Sequence, residues 1–251
     1  MSDSVLIGTS DGVLTITWNE PDRLNALTAE MLDGAAAAIE GVGPDVRLIV
    51  LTGTGRAFSS GAALGPQFDG TATLDGANRL VRAITRTPVP VLSAVNGIAA
   101  GVGCSIAIAA DITLARSSAY FLLAFVNIGL MPDGGATELV AASVGRARAN
   151  QMAMLGERLS AGVAAEIGLI HQSLDDEDYE AELARLVKKL ANGPTVALGR
   201  TKAAIAATTL THLDEALDRE RDGQLELFST SDAFEGGMAF VQKRRPEFTG
   251  R

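Results

Sequence analysis

The spacing of apolar positions changes along the chain. Val5 to Ser10 and Val13 to Trp18 are β-rich runs separated by Asp11-Gly12, a dipeptide suited to a hairpin turn. After Pro21, Thr28 to Val42 is rich in Ala, Leu, Met and Glu and predicts a helix with Thr28 as its N-cap. Leu48 to Thr52 reads as a short buried strand ending in Gly53-Thr54-Gly55, followed by a loop from Arg56 to about Thr73. Asp75 to Thr85 predicts a helix stopped by Pro88 and Pro90. Val91 to Val95 is a second apolar strand, Asn96-Gly97 a turn, Gly101 to Ala110 a buried helix, and Ile112 to Ala115 a third strand. This alternation predicts βαβ units and a mostly parallel sheet. From Gly134 onward the pattern becomes helical, over Glu138–Ser143, Arg146–Leu155, Ala161–Ile167, Asp176–Ala191, Thr195–Ala207 and Leu213–Phe228.

Composition narrows the class. With 251 residues, 47% hydrophobic and 20% charged, the chain can bury a sizeable core and is not disordered. A net charge of −9 argues against nucleic acid as a partner. Cys104 is the single cysteine, so no disulfide forms within the chain, which suits a reducing compartment. The opening residues lack signal-peptide order and no apolar stretch is long enough for a bilayer. We expect a cytoplasmic protein with no membrane association.

Three segments could carry chemistry. Gly53-Thr54-Gly55-Arg56-Ala57-Phe58-Ser59-Ser60-Gly61-Ala62-Ala63-Leu64 runs from a strand end into a Gly-rich turn. Asn96-Gly97-Ile98-Ala99-Ala100-Gly101-Val102-Gly103-Cys104-Ser105 repeats that arrangement. Each is either an ordinary turn or a place where free main-chain N–H groups meet an oxyanion. Two such turns after parallel strands would put two donors on one sheet edge, the usual device for stabilising an enolate. The third segment is Asn127-Ile128-Gly129-Leu130-Met131-Pro132-Asp133-Gly134-Gly135, where Asp133 either caps the following helix or serves as an acid–base group. Asp111 reads as a structural turn residue, Glu138 as a secondary acid–base candidate or surface charge, and Cys104 as a buried inert thiol. His171 and His212 have no partners at metal-ligand spacing, so no metal site is expected.

Taken in order, Pro21…Asn25-Ala26-Leu27, Ala57-Phe58-Ser59-Ser60-Gly61-Ala62, Asn96-Gly97…Gly101-Val102-Gly103, Gly129…Pro132…Gly135 and Ala239-Phe240-Val241-Gln242-Lys243-Arg244-Arg245-Pro246 resemble the crotonase (enoyl-CoA hydratase/isomerase) family over nearly the whole chain. The resemblance implies an α/β fold, a spiral of repeated ββα/βαβ turns (residues 1–195) with a C-terminal helical trimerisation region (196–251). It implies a coenzyme A thioester as substrate, no separate cofactor, and a homotrimer or dimer of trimers. The oxyanion-hole donors would be Ala62 and Val102. Arg23, Ala57, Ser60, Gly61, Leu64, Gly101, Phe125, Pro132, Phe240 and Lys243 would contact substrate, the last two near the adenine and phosphates, often from a neighbouring subunit. The chain departs from typical hydratases where it matters most. Ser105 and Phe125 occupy the positions of the two catalytic glutamates, and neither replaces a carboxylate. Pro132-Asp133 resembles the Pro-Asp turn of certain family isomerases, which implies 3-enoyl to 2-enoyl isomerisation with Asp133 as proton shuttle. A hydratase-like enzyme with another acid–base set, or a non-catalytic acyl-CoA binder, are the alternatives.

Overall fold

A computed structural model describes residues 4–65 and 68–251. Strands β1 (Val5–Ser10) and β2 (Val13–Trp18) form the antiparallel hairpin, with Asp11 and Gly12 both at positive φ in its turn. From β2 the sheet continues in parallel through β3 (Leu48–Gly53), β5 (Val91–Val95), β7 (Ile112–Arg116) and β10 (Gln172–Leu174), in the order β1-β2-β3-β5-β7-β10. The largely apolar runs of β3 and β5 arise because both faces of the sheet are covered. Ile49, Leu51, Val91 and Val95 point into the main core beneath helices α1 (Ala29–Glu40), α2 (Gly70–Arg86) and α3 (Val102–Ala109). Leu48, Val50, Leu92, Ala94 and Leu114 point the other way, onto Tyr179, Leu186 and Leu190 of α6 (Asp176–Ala191).

The segment expected to be a loop from Arg56 to Thr73 contains more structure than that. Residues 66 and 67 lie outside the described residues, but Ala57–Ser59 is a strand, β4, and α2 starts at Gly70 rather than Asp75. Asp69 supplies the missing helix start, its side chain accepting from Ala72 N–H at 2.9 Å. Strand β4 belongs to a second sheet with β6 (Ile98–Ala100), β8 (Tyr120–Leu122) and β9 (Leu159–Ser160), in the order β4-β6-β8-β9. Three strands of the main sheet therefore turn a corner into a short strand of the second: β3 into β4, β5 into β6, β7 into β8. The corners need glycine. A Cβ on Gly53 would overlap the carbonyl of Ala57, and one on Gly97 the carbonyl of Arg56.

The helical half follows the expected order. Thr28 caps α1, accepting from Met31 N–H at 3.3 Å. The two helices expected over 138–155 form one element, α4 (Ala136–Leu155), broken at Gly145 (φ 76°, ψ 163°). After α5 (Ala161–Glu166) and α6 come α7 (Thr195–Thr209) and α8 (Leu213–Leu227). A further helix, α9 (Ser231–Val241), has no counterpart in the sequence reading. It contains Gly236-Gly237, which lowers helix propensity. Gly236 is nonetheless required, because a Cβ there would collide with the main chain of Ile128 in the short 3-10 turn Ala124–Ile128. Asp111 is structural, as expected. Its carboxylate accepts from Val91 N–H at 2.7 Å and pairs at 2.9 Å with Lys202 of α7, whose ammonium also bonds the Ile84 carbonyl at 2.6 Å. No helix among the described residues is long and apolar enough to cross a membrane.

Candidate active site

The two Gly-rich turns do bring main-chain donors together, but not at the edge of the main sheet. The donors lie one strand further on, at the ends of β4 and β6, because the chain turns its corner before reaching Ala62 and Val102. Leu27 N–H donates to the Gly61 carbonyl at 2.8 Å, and Ala63 N–H donates to the Leu27 carbonyl at 2.8 Å. This parallel bridge uses Leu27 for both bonds, so the N–H of Ala62 faces away from it. Val102 is the first residue of α3, and the first N–H groups of a helix have no intrahelical acceptor. Among the described residues neither amide has an acceptor. The residues before them, Gly61 (φ 98°) and Gly101 (φ 52°), adopt backbone conformations that other residues avoid. They also lie close together: a Cβ on Gly101 would lie 3.6 Å from Gly61 Cα. The two donors thus follow a pair of neighbouring glycines, each close enough that a Cβ on one would reach van der Waals distance of the other's Cα.

Asn25 locks this arrangement from below. It is fully buried at φ 55°, its Oδ1 accepting from Glu20 N–H at 2.9 Å and its Nδ2 donating to the Thr54 carbonyl at 2.9 Å and the Ala57 carbonyl at 2.7 Å. The following residues, 24–27, pair with 60–63 through Ser60 N–H to the Leu24 carbonyl (2.9 Å) and the Leu27 bridge. Asn25→Ala should cost about 1–3 kcal/mol, since the Glu20 N–H and the Thr54 carbonyl lose this partner and the Ala57 carbonyl is left with Asn96 Nδ2; urea unfolding followed by circular dichroism measures it.

Asp133 follows Pro132 in the turn before α4, and it is not that helix's cap. The N-cap is Gly135 (φ 77°), with no side-chain cap bond. The Asp133 carboxylate instead accepts from Gln224 Nε2 at 2.9 Å through Oδ2, while Oδ1 is shielded from solvent and has no hydrogen-bond partner. Burial drives its pKa up to about 7; the Gln224 bond works against the rise and the nearby Glu220 charge adds to it. The turn is tied to the donor helix. Ser105 Oγ on α3 donates to the Asp133 carbonyl at 2.7 Å, and a Cβ on Gly134 would lie 3.0 Å from Ser105 Cβ and 3.5 Å from Val102 Cγ2. Ser105, which the sequence resemblance aligns with a hydratase glutamate, therefore ties the Asp133 turn to α3. Phe125, the other replacement, is 7% exposed.

Ala57, Gly61, Gly101, Val102, Phe125 and Pro132 are buried, and Ser60, Ala62, Leu64 and Asp133 half-buried. Arg23 is exposed, and its carbonyl accepts from Ser60 Oγ at 3.4 Å, which keeps it beside the first donor segment. Phe240, near the end of α9, and Lys243, two residues beyond it, are exposed, and Lys243 N–H donates to the Phe240 carbonyl at 3.1 Å. Sequence reasoning missed two polar side chains of α8. Glu220 and Gln224 are each 1% exposed. Glu220 accepts from Gly135 N–H (2.6 Å), Thr137 N–H (2.8 Å) and Thr137 Oγ1 (2.5 Å), and so caps α4 from another helix; burial raises its pKa. Their signal was present: Leu213, Ala216 and Leu217 start a buried stripe, and residues 220 and 224 continue it at helical spacing with polar groups.

The family model for enoyl-CoA hydratase/isomerase matches residues 8–251. The chain is 41% identical over 262 residues to 1,2-epoxyphenylacetyl-CoA isomerase of Escherichia coli, covering all of both chains. It is 42% identical over 252 residues to a probable enoyl-CoA hydratase of Rhodobacter capsulatus, covering 96% of each. The crystal structure of an enoyl-CoA hydratase from Mycobacterium avium subsp. paratuberculosis superposes with a TM-score of 0.92 at 48% identity, covering 98% of each chain. With the cornered double sheet, the match along nearly the whole sequence and this superposition, the chain belongs to the crotonase, or enoyl-CoA hydratase/isomerase, family of acyl-CoA enzymes.

Proposed function

We propose that the protein isomerises enoyl-CoA thioesters, moving a double bond from C3 to C2, with Asp133 as the single proton shuttle. The thioester carbonyl accepts from the Ala62 and Val102 N–H groups. The Asp133 carboxylate removes a C2 proton through Oδ1, and the C–H electrons enter the conjugated system as the carbonyl oxygen becomes an enolate. The two N–H donors stabilise that charge. The same proton, now on Asp133, is returned to C4; the C3–C4 double bond is consumed and a C2–C3 double bond forms. One group suffices because the proton leaves and returns on one carboxyl. Substrate contacts are assigned to Arg23, Ala57, Ser60, Gly61, Leu64, Gly101, Phe125 and Pro132. Phe240 and Lys243 would reach the coenzyme A of a neighbouring protomer in a trimer or dimer of trimers.

The observation that carries this reading is the unpartnered, solvent-shielded Oδ1 of Asp133, on a turn bonded to the helix that offers Val102. A carboxylate that merely capped α4 would leave an acyl-CoA binder as the better reading. Hydration needs an acid–base pair, whereas Ser105 is committed to a carbonyl and Phe125 has no exchangeable proton.

The test is a paired ultraviolet assay of 3-enoyl-CoA isomerisation and crotonyl-CoA hydration across several chain lengths. Isomerisation is expected to dominate; rapid hydration without isomerisation would reject the proposal. The 41% identical relative's name adds an epoxide of phenylacetyl-CoA to the substrates worth including. In the same assay kcat/KM should rise with pH through about 7, because the base must be ionised and burial holds Asp133 protonated below that point. A profile flat from pH 5 to pH 8 would assign the base elsewhere.

A further inference from the structure

The loop that carries Asp133 is gripped at two points by one helix. Glu220 and Gln224 lie four residues apart on α8 and so share a face. Glu220 holds the far side of the loop, at Gly135 and Thr137. Gln224 holds the near side: its Oε1 accepts from Met131 N–H at 3.3 Å and its Nε2 donates to Asp133 Oδ2 at 2.9 Å. The orientation of this amide is forced. Met131 N–H can only donate, so the carbonyl oxygen must face it, and the NH₂ group must face the carboxylate. Gly223 lets the helix approach the loop this closely, since a Cβ there would overlap Met131 Sδ.

We propose that Gln224 is a positioning residue for the proton shuttle: it occupies Oδ2 as a fixed donor and leaves Oδ1 as the oxygen that carries the migrating proton. The inference rests on the isomerase reading for its kinetic consequence but not for its structural one. A single proton-bearing oxygen matters because the proton must reach two carbons of the same substrate. A carboxyl free to rotate would present either oxygen, in more than one geometry. The groups facing Asp133 are few. Gln224 and Glu220 come from α8, with Glu220 the charged one; Ser105 of α3 meets the backbone carbonyl rather than the carboxylate. A donor to the carboxylate favours its charged form, so removing it must raise the pH at which Asp133 ionises.

The experiment uses the full chain with ¹³C-labelled aspartate carboxyl groups. The Asp133 resonance is identified by its loss in Asp133→Asn and titrated in the wild type, Gln224→Met and Gln224→Glu. Gln224→Met keeps the length and removes the donor; Gln224→Glu keeps an acceptor for Met131 N–H and adds a like charge. We expect the midpoint to move up by about one pH unit in Gln224→Met and further in Gln224→Glu. The acid limb of kcat/KM should move with it, and kcat at pH 7 should fall about five-fold in Gln224→Met and further in Gln224→Glu, with little change in KM. A midpoint unmoved in both variants overturns the proposal, as does a uniform loss of kcat at every pH. If the wild type isomerises no enoyl-CoA, the isomerase reading fails alone, and the titration still decides whether Gln224 acts on Asp133.

Discussion

Asp133→Asn should lower kcat for 3-enoyl-CoA isomerisation by about 10³-fold, within the ~10²–10⁴ that general acid–base groups contribute, while KM stays close to the wild type. The substitution is nearly isosteric and keeps the turn intact. Gln224 cannot rotate its amide, because Met131 N–H fixes the carbonyl end. The new Asn side chain must therefore turn its oxygen toward Gln224 Nε2, which puts its own NH₂ where Oδ1 had been. The reacting position then holds a group that neither accepts the C2 proton nor returns one to C4. The Ala62 and Val102 donors are untouched, so the thioester still binds. Product formation followed by ultraviolet absorbance, with binding measured separately by calorimetry, checks both halves. Full activity in the variant would remove Asp133 from the reaction.

The second large effect concerns a residue with no side chain. Gly101→Ala is expected to reduce kcat about 10²–10³-fold, the equivalent of losing one oxyanion donor at ~2.7–4 kcal/mol. Space is not the obstacle, since the nearest atom to a Cβ there is Gly61 Cα at 3.6 Å. The obstacle is the backbone, at φ 52° and ψ −134°, a region that residues with a Cβ avoid at a cost of ~1–3 kcal/mol. The chain relieves that strain by rotating the peptide that ends in the Val102 N–H, which swings the donor off its target. A modest loss of melting temperature should accompany a large loss of turnover. Gly34→Ala is the comparison: it lies inside α1 with nothing within 4 Å of its Cβ, and should change neither stability adversely nor rate. Unchanged turnover in Gly101→Ala would show that the Val102 amide does not meet the developing charge.

What could be read from the residues follows from how far each signal extends. β3 and β5 were legible because both their faces are buried, giving apolar runs broken only by Ser93 in β5 and the last two residues of β3. α1 and α6 were legible because their buried positions repeat over several turns. The second sheet was not, since its strands are two or three residues long and no period can be established over that length. α2 was started five residues late because Gly70, Thr71 and Thr73 are weak helix formers, overcome by the Asp69 cap and by packing. α9 was missed because its glycines oppose a helix locally and favour one only through the approach to Ile128. At the candidate site, Ala62, Val102 and Asp133 are singled out by motifs, which carry order and spacing. Gln224 and Glu220 belong to no motif, and their importance comes from contacts across about ninety residues of chain. A polar pair interrupting an apolar stripe was the trace they left.

The grip of α8 on the loop also orders events during synthesis. A chain emerging from the ribosome has β4, β6 and α3 in hand, and with them both main-chain donors, long before residues 220 and 224 appear. Until those two side chains dock, the Asp133 carboxylate lacks its Gln224 donor, and the Gly135 and Thr137 N–H groups at the start of α4 lack their Glu220 acceptor. Under the proposed isomerase mechanism, the nascent protein would thus gain a surface able to polarise a carbonyl well before it could move a proton, and catalytic competence would come late, with the last helices.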